Sequence, residues 1–540
     1  MSRQRVFVTT CVAVAAFLSG GWLMQQSGRP SQSVYQQARM FDDVLSHVAD
    51  FYVDSLDERQ LYRMAIDGML RELRDPYTGF LDGSELRSLA EATSGNYGGV
   101  GLQIEYRDGA IVVVTPLADS PAERAGIQTG DRIVQVDDSS TGRWSQEHAV
   151  RALRGQPGSQ VRLRVERPGV REPLAYTLTR AQIHSRSVRL AMLLEGGVGY
   201  VELYQFSEST GRELRAALDS LRQAGMRSLI LDLRTNPGGL LEEGVAVAEL
   251  FLDPGQAIVA TRGRAPGMTR RFVDREPQPY PNLPVVVLIN GLSASASEIV
   301  AGALQDHDRA VIVGTTSFGK GLVQSVYRLS NEASIKMTTS KWYTPSGRSI
   351  QRPFRNGQEQ RDPDDEAPRR DTVPAPMFRT DRGREVRGGG GISPDVVVRQ
   401  DSALLALANR LQTALDSNQQ RYFDALAAFA LEMRGRQVVS GPLFRVTPEL
   451  RARFLQLLAE RGVTLEREIV DRAWPFIERQ IGSQTARFAF GRAGQVRRDA
   501  EDDPVLGTAH RLAGRARTPA ELFTLAAQSV PAAATPPTRP

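Results

Sequence analysis

The 540 residues predict a multidomain α/β protein with helical regions at both ends, too long for a single core. Three observations lead there. Between about 183 and 400, buried-strand runs alternate with turns and helical stretches, the pattern of a layered α/β body. Residues 95–182 instead carry short strands punctuated by glycine turns, which marks a separate β-rich unit. Residues 34–94 and 401–540 place apolar side chains at helical spacing. Composition is that of a soluble globular protein, 41% hydrophobic and 24% charged with a net charge of +5. No basic stripe interleaved with aromatics is present, so nucleic acid is not an expected partner. The lone cysteine, Cys11, excludes an internal disulfide framework and any cysteine-based metal cluster. No metal or other cofactor is expected.

Residues 1–28 read as a targeting segment, either a signal peptide or a membrane anchor. Arg3 and Arg5 precede an uncharged, mostly apolar stretch, Val6–Met24. That stretch is also long enough to span a bilayer. No small-x-small cleavage pattern stands near Ser19–Gly21, which favours an uncleaved anchor. Either way the body is expected outside the cytoplasm, in the periplasm or cell envelope. In the N-terminal helical region, 34–94, Phe41, Val44, Leu45 and Val48 share a helical face, as do Leu61, Met64, Ala65, Met69 and Leu70. The pair Asp75-Pro76 ends the second helix, because a residue before proline avoids the helical region. A helical hairpin packed on a neighbour accounts for this region without a functional role.

The β-rich unit carries a binding signal. Tyr97-Gly-Gly-Val-Gly-Leu102 is a glycine loop entering an apolar strand. The backbone N–H groups of Gly99, Val100 and Gly101 suit a peptide's terminal carboxylate, and the strand edge that follows suits pairing with the peptide backbone. Ser120–Gly126 gives a short helix, Gly130–Ile133 starts a strand, Ser145–Leu153 gives a helix, and Val161–Val165 alternates as a strand. The series GVGL, SPAERAGIQTGDRIVQV and LRGQPGSQVRLRV resembles a bacterial PDZ domain over 95–182. Asp137-Asp138 stands where that family more often turns on a glycine. The resemblance implies a peptide pocket shaped by Leu102, Ile104 and the helix face at His148, Val150 and Leu153.

Within 183–400, Tyr200–Tyr204 and Ser228–Leu233 are strands, the second broken by Asn236-Pro-Gly-Gly239 before a helix. Val285–Ile289 is a buried strand; a turn at Asn290-Gly291 leads to Ser293, Ser295 and Ser297 and then a helix. A second buried run, Ala310–Val313, leads to Gly319-Lys320-Gly321. A serine at a strand–helix turn is inert until a neighbour takes its proton. A lysine can take it only as a neutral amine, which burial favours. Phe318, Leu322 and Val323 surround Lys320 with apolar residues, and Gln324 falls on the same side of an extended chain, where its neutral amide suits orienting the amine. Helix-start N–H groups suit an oxyanion. Equally, Ser295-Ala-Ser-Glu298 fits a capping box, in which the serine only satisfies helix N–H groups. Local chemistry does not choose among the three serines.

SASASE followed by FGKG-x-VQ, with the lysine 25 residues after the middle serine, resembles the carboxy-terminal processing (tail-specific) serine proteases. The resemblance covers roughly 35–400 and includes DPYTGFLD at Asp75–Asp82, DLR-x-NPGG, Met337–Gln351 and Gly391–Asp395. It implies a crotonase/ClpP-like β–β–α protease core, with Ser295 as nucleophile, Lys320 as base and Gln324 in support. It also implies an oxyanion hole from the N–H groups of Gly238 and Ala296, and protein substrates with apolar C-termini. A Ser-His-Asp site is the rival enzyme, with His307 the nearest histidine in sequence, but DHDR around it reads as an exposed loop. The alternative from another class is a catalytically silent PDZ scaffold. Arg352–Gly391, rich in Arg, Asp, Pro and Gly, reads as a long mobile loop. Residues 401–540 read as a helical extension over Leu404–Leu415, Tyr422–Met433, Pro448–Glu460 and Leu465–Ile481, with a disordered tail. Such an extension suits a homodimer contact or an adaptor.

Overall fold

The computed structural model describes residues 31–107, 110–167, 170–329, 333–355, 358–359, 376–399 and 402–529. The targeting segment and the tail lie outside the described residues. Among these residues no helix is long and apolar enough to cross a membrane.

A six-stranded sheet forms the middle of the body, in the order 188–194, 198–203, 228–232, 285–289, 311–314 and 396–397. The first pair is antiparallel and every later pair is parallel. Central parallel strands are covered on both faces, so their sequences are continuous apolar runs instead of alternating ones. Val285, Val286, Val287 and Leu288 are all fully buried. Alternate residues serve different layers. Leu229, Leu231, Val285 and Val287 face the helices Thr210–Gln223, Leu241–Glu249 and Ala296–Asp306. Ile230, Val286, Leu288, Val311 and Val313 pack against Val505, Leu506, Ala509 and Leu512.

The second layer corrects the organisation expected from sequence. Beyond the helices Ser402–Leu415, Gln419–Gly435, Pro448–Glu460 and Arg467–Asp502, two more run over Pro504–Arg515 and Pro519–Ser529. These last two cover the outer face of the core sheet, so the division expected near 400 does not mark a gap in packing. The long helix Arg467–Asp502 is broken at Gly491, where φ is 70° and ψ −169°.

An antiparallel sheet stands beside the first, in the order Gly79–Leu81, Ser334–Tyr343, Ala257–Gly263 and Arg270–Val273, with Leu322–Arg328 also paired to Ser334–Tyr343. The N-terminal helices Ser31–Phe51, Glu58–Glu72 and Gly83–Ser94 thus reach the core through a strand. Much of their apolar surface stays exposed: Tyr35, Phe41, Val44, Phe51, Met64 and Met69 are all more than half exposed.

The β-rich unit has its own core, built on Ile111, Val113, Ile133, Val161, Leu163 and Val165. Its sheet runs 102–107, 110–116, 132–136, 160–166 and 174–179, which leaves Leu102–Arg107 at an edge. The short pair Asn96–Gly99 and Ala181–His184 closes the unit where it joins the body. Within the segment expected to be one mobile loop, Met377–Arg379 and Glu385–Arg387 form a hairpin. Val386 is buried, and Arg384 bridges Asp308 and Asp395.

Candidate active site

Strand Val285–Ile289 delivers the chain to a tight loop, and the helix Ala296–Asp306 carries it away fully buried. Ser295 lies at that junction with φ 56° and ψ −113°, a conformation a side-chain-bearing residue rarely adopts. Holding it costs about 1–3 kcal/mol and needs surrounding structure to impose it. The imposing group is Glu298, fully buried one turn into the helix. Its carboxylate accepts four hydrogen bonds. Ser295 N–H (2.8 Å) and Lys320 N–H (2.9 Å) share Oε2, while Gly319 N–H (2.7 Å) and the Ser317 hydroxyl (2.5 Å) share Oε1. The backbone nitrogens of Ser295 and Lys320 are therefore both within hydrogen-bond distance of one oxygen atom. Burial pushes the Glu298 carboxyl above its ordinary range, while the Ser317 hydroxyl and the three N–H groups pull the other way.

The capping-box residue thus does more than cap: it ties the serine loop to the lysine loop. The lysine loop is pinned from its other side as well. Gly321 N–H donates to Gln351 Oε1 (2.8 Å), Arg352 N–H to Gly319 O (2.8 Å), and Ile392 N–H to Ser317 Oγ (2.6 Å). Gly319 has φ 95°, and a Cβ there would stand 3.1 Å from Gly391 N, so glycine is required by conformation and by space. Lys320 is half-buried, with Trp342 Nε1 donating to its carbonyl (3.0 Å). Its Nζ lies 4.4 Å from the centroid of the Tyr77 ring, so one side of the amine faces an aromatic ring. Tyr77 belongs to DPYTGFLD, a segment expected to be only structural. Asp75 accepts from Tyr77 N–H and the Thr78 hydroxyl, and Thr78 in turn accepts from Thr338 N–H (3.1 Å). Gln324 also meets Thr338, donating to its hydroxyl at 3.3 Å.

The three serines separate by their bonds. Ser293 is fully buried, donating to Leu233 O (2.8 Å) and accepting from Asn290 N–H (2.9 Å). Ser297 is fully buried and donates to Asn236 O (3.0 Å). Both staple the loop to the turn after strand 228–232. Ser295, half-buried, is the one at the strained junction. Gly238 is packed against it: with φ 92°, a Cβ on this residue would fall 2.7 Å from Ser295 Cβ and 3.0 Å from Ala296 N. The Gly238 N–H, expected to face an oxyanion, donates to Asn236 Oδ1 (2.9 Å) within its own turn. Ala296 supplies the first N–H of the buried helix, beside that glycine.

In the β-rich unit, Leu102–Arg107 lies beside the helix Gln146–Leu153, and Gln146 Nε2 reaches Ile104 O at 3.5 Å. Between them opens a cavity of about 1130 Å³ lined by Val100, Gly101, Leu102, Ile104, Val150 and Leu153 among others, and reaching Thr235 of the core. Two expected groove residues are placed differently. His148 is exposed and sits against Trp144, ring centroids 4.3 Å apart and tilted by 42°, and it does not line the cavity. At 100° per residue, Gln146, Val150 and Leu153 share the inward face and His148 does not. Gly99 does not line the cavity either; it is bridged to Arg154 at the closing strand pair.

Comparison with known proteins bears on this geometry. Peptidase family S41 matches residues 197–359, the PDZ domain 112–167, and the activating protease CtpB N-terminal domain 20–84. A carboxy-terminal-processing protease of Bartonella bacilliformis is 39% identical over 357 residues, covering 65% of this chain and 81% of that protein. The chain belongs to the carboxy-terminal-processing proteases of family S41. The carboxy-terminal processing protease CtpA of Bacillus subtilis is 34% identical over 349 residues, covering 64% of this chain and 73% of that protein. Among solved structures, the photosystem II D1 C-terminal processing protease is 31% identical and covers 66% of this chain and 86% of its own, with a TM-score of 0.36.

The protease is therefore a serine peptidase with a PDZ domain, which removes the scaffold alternative. The surroundings of His307 differ from the exposed loop expected. Asp308 and Arg309 are buried, and Asp306 is paired with the fully buried Arg348 at 2.7 Å. His307 Nδ1 meets Asp381 (2.7 Å) and Nε2 meets Ala257 O (2.6 Å). It sits at the far end of the helix from Ser295, about 18 Å away at 1.5 Å per residue. Glu298 and Tyr77 are the neighbours of the site that sequence reasoning missed. A Glu three residues after a serine signals a cap with or without other partners. The ring at Tyr77 meets Lys320 only through the pairing of Gly79–Leu81 with Ser334–Tyr343.

Proposed function

We propose that the protease is a Ser–Lys endopeptidase that captures protein C-termini in its PDZ groove and cleaves proteins of the cell envelope. The observation that carries the dyad is the shared Glu298 oxygen, which brings the backbones of Ser295 and Lys320 together across two separate loops. In the cycle, neutral Lys320 accepts the Ser295 hydroxyl proton as Oγ bonds to the scissile carbonyl carbon. The tetrahedral oxyanion takes the Ala296 N–H, and that of Gly238 once it turns from Asn236. Collapse breaks the C–N bond, and Lys320 returns the proton to the leaving amine. Water, deprotonated by the Lys320 amine, then attacks the acyl carbonyl carbon, and Lys320 returns that proton to Ser295 Oγ as the ester C–O bond breaks. Gln324 acts through Thr338 and the lysine strand, as a positioning residue.

Capture follows from an edge strand beside a helix: an apolar C-terminus adds to Leu102–Arg107 while Leu102, Ile104, Val150 and Leu153 receive its side chain. The location rests on Arg3 and Arg5 ahead of Val6–Met24. If that segment stays attached, it tethers the protease to a membrane. A homodimer belongs to the same reading, through the exposed apolar face of 31–73 in preference to the C-terminal helices, whose apolar faces turn inward. An adaptor on the helical extension remains part of the proposal.

The test compares wild type, Ser295→Ala and Lys320→Ala on a loosely folded protein ending either in apolar residues or in two aspartates. Cleavage by wild type alone, faster for the apolar tail, is expected. Cleavage that survives Ser295→Ala overturns the dyad, and equal rates on both tails overturn the PDZ role.

A further inference from the structure

The cavity at the PDZ groove is not closed by the PDZ domain. Its remaining walls come from the edge of the core sheet and from the helical extension, through Arg434 of Gln419–Gly435 and Arg487, Phe488 and Arg492 of Arg467–Asp502. The break at Gly491 falls at this wall, so the two legs of the long helix meet the cavity from different directions. Direct contacts hold the extension there. Arg487 pairs with Glu105 on the groove strand at 3.0 Å, Arg434 donates to Thr129 O at 3.1 Å, and Arg492 donates from Nη2 and Nε to the two carboxylate oxygens of Glu202 of the core (2.8 and 2.9 Å).

The charge of this chamber is one-sided. Among the described residues, Arg154, Arg186, Arg189, Arg434, Arg487 and Arg492 line it, against Glu202 as the one acidic lining residue. Glu202 serves both Arg189 and Arg492, and Glu91 and Glu105 outside the lining answer Arg154 and Arg487. Six cations among the described residues are thus met by three carboxylates, with Asp499 adding its charge behind Arg492. At about 1130 Å³ the space exceeds the roughly 300–1,000 Å³ usual for a small-molecule pocket. It suits a stretch of polypeptide. A peptide strand added to Leu102–Arg107 would run on from the groove past the arginine wall. A concave site of one sign concentrates ligands of the other.

We propose that the helical extension makes this chamber a reader of acidic residues upstream of an apolar C-terminus, so that preferred tails carry Asp or Glu in the residues before the apolar end. This rests on the PDZ capture proposed above and adds the substrate class. The apolar end is held by the groove and the acidic stretch by arginines, of which Arg434, Arg487 and Arg492 come from the helical extension, Arg186 and Arg189 from the core, and Arg154 alone from the PDZ domain. Carboxylates of the peptide pair with guanidinium groups in forked geometry, which favours arginine over lysine for the task.

The experiment measures binding of fluorescent ten-residue peptides to the full-length Ser295→Ala chain by anisotropy. All end in the same apolar residues; the preceding six contain three Glu, three Gln or three Lys. A fourth peptide is the Glu version with an amidated C-terminus. The Glu peptide is expected to bind about tenfold tighter than the Gln peptide, with that margin shrinking as salt is raised. Arg186→Gln/Arg434→Gln and, separately, Arg487→Gln should narrow the margin while leaving the Gln peptide's affinity within about twofold. Two changed walls guard against one variant that merely loosens the extension, and circular dichroism checks folding. Equal binding of Glu and Gln peptides, with the amidated peptide weak, overturns the acidic reader and leaves PDZ capture standing. Equal binding of amidated and free tails overturns the capture on which it rests.

Discussion

The serine–lysine loops and the PDZ groove lie in one chain and are built in opposite ways. Around Glu298 every partner is internal: four donors meet one buried carboxylate, and two further serines staple the loop. At the groove the strand Leu102–Arg107 is left at a sheet edge, and the walls opposite it are joined by a few charged contacts. The lesson is where rigidity is placed. A strained nucleophile needs surroundings that fix it, whereas a recognition edge needs hydrogen-bonding capacity left over.

The sharpest way to break this contrast is to disarm the hub. Glu298→Gln keeps the shape but faces buried N–H donors with an amide NH2. We expect cleavage to fall at least about 100-fold, since small misplacements of reacting groups carry such losses. Stability in urea should drop by about 3 kcal/mol, from donors left unsatisfied in a buried site. Retained activity would show the loops to be held by other means. A smaller effect is expected at the lysine: Tyr77→Ala should lower kcat about tenfold, equivalent to about 1.4 kcal/mol, with Tyr77→Phe close to wild type. On the groove side, Val150→Glu should raise KM for apolar tails several-fold and leave kcat unchanged, whereas His148→Ala, on the outward face, should change neither beyond about twofold.

The smallest expected effect lies at the joint between the two regions. Glu213 accepts from Ser209, His184 and the Val188 N–H where the PDZ unit meets the body. Burial pushes its carboxyl up, but these hydrogen bonds outweigh burial and hold it below the ordinary range. With the folded value depressed, its contribution is present above the unfolded value and is lost as pH falls through the folded one. Glu213→Gln should therefore cost less than about 1 kcal/mol near neutral pH, screened by its partial exposure, and nothing once both forms are protonated. Thermal melts across acid pH check this.

How far the sequence could be read follows the same divide. Val285–Ile289 and Ser228–Leu233 were legible because strands buried on both faces need unbroken apolar runs. The pairing of Ser295 with Lys320 was proposed from a spacing of 25 residues that resembles a known family, and the choice of the middle serine came from there as well. Three things were hidden because they depend on distant chain. Glu298 looks like any capping residue until Lys320 arrives from another loop. The helix that carries Val505, Leu506 and Ala509 was not among those read from sequence, and nothing local to it tells that the core sheet lies beneath. In 376–391, polar composition masks a hairpin anchored by Arg384 between Asp308 and Asp395.

The most direct test of the central claim separates the three serines by activity and stability together. Ser293→Ala, Ser295→Ala and Ser297→Ala are each assayed for cleavage of the apolar-tailed protein and for thermal unfolding. Ser295→Ala should abolish cleavage and lower the midpoint by no more than a lost helix cap costs, about 1 kcal/mol, since its hydroxyl caps the Glu298 N–H but does not staple the loop to the neighbouring turn. Ser293→Ala and Ser297→Ala should melt earlier, by about 1 kcal/mol each for a lost buried hydrogen bond, while their folded fractions still cleave. A folded, inactive Ser293→Ala or Ser297→Ala beside an active Ser295→Ala would contradict the assignment of the nucleophile.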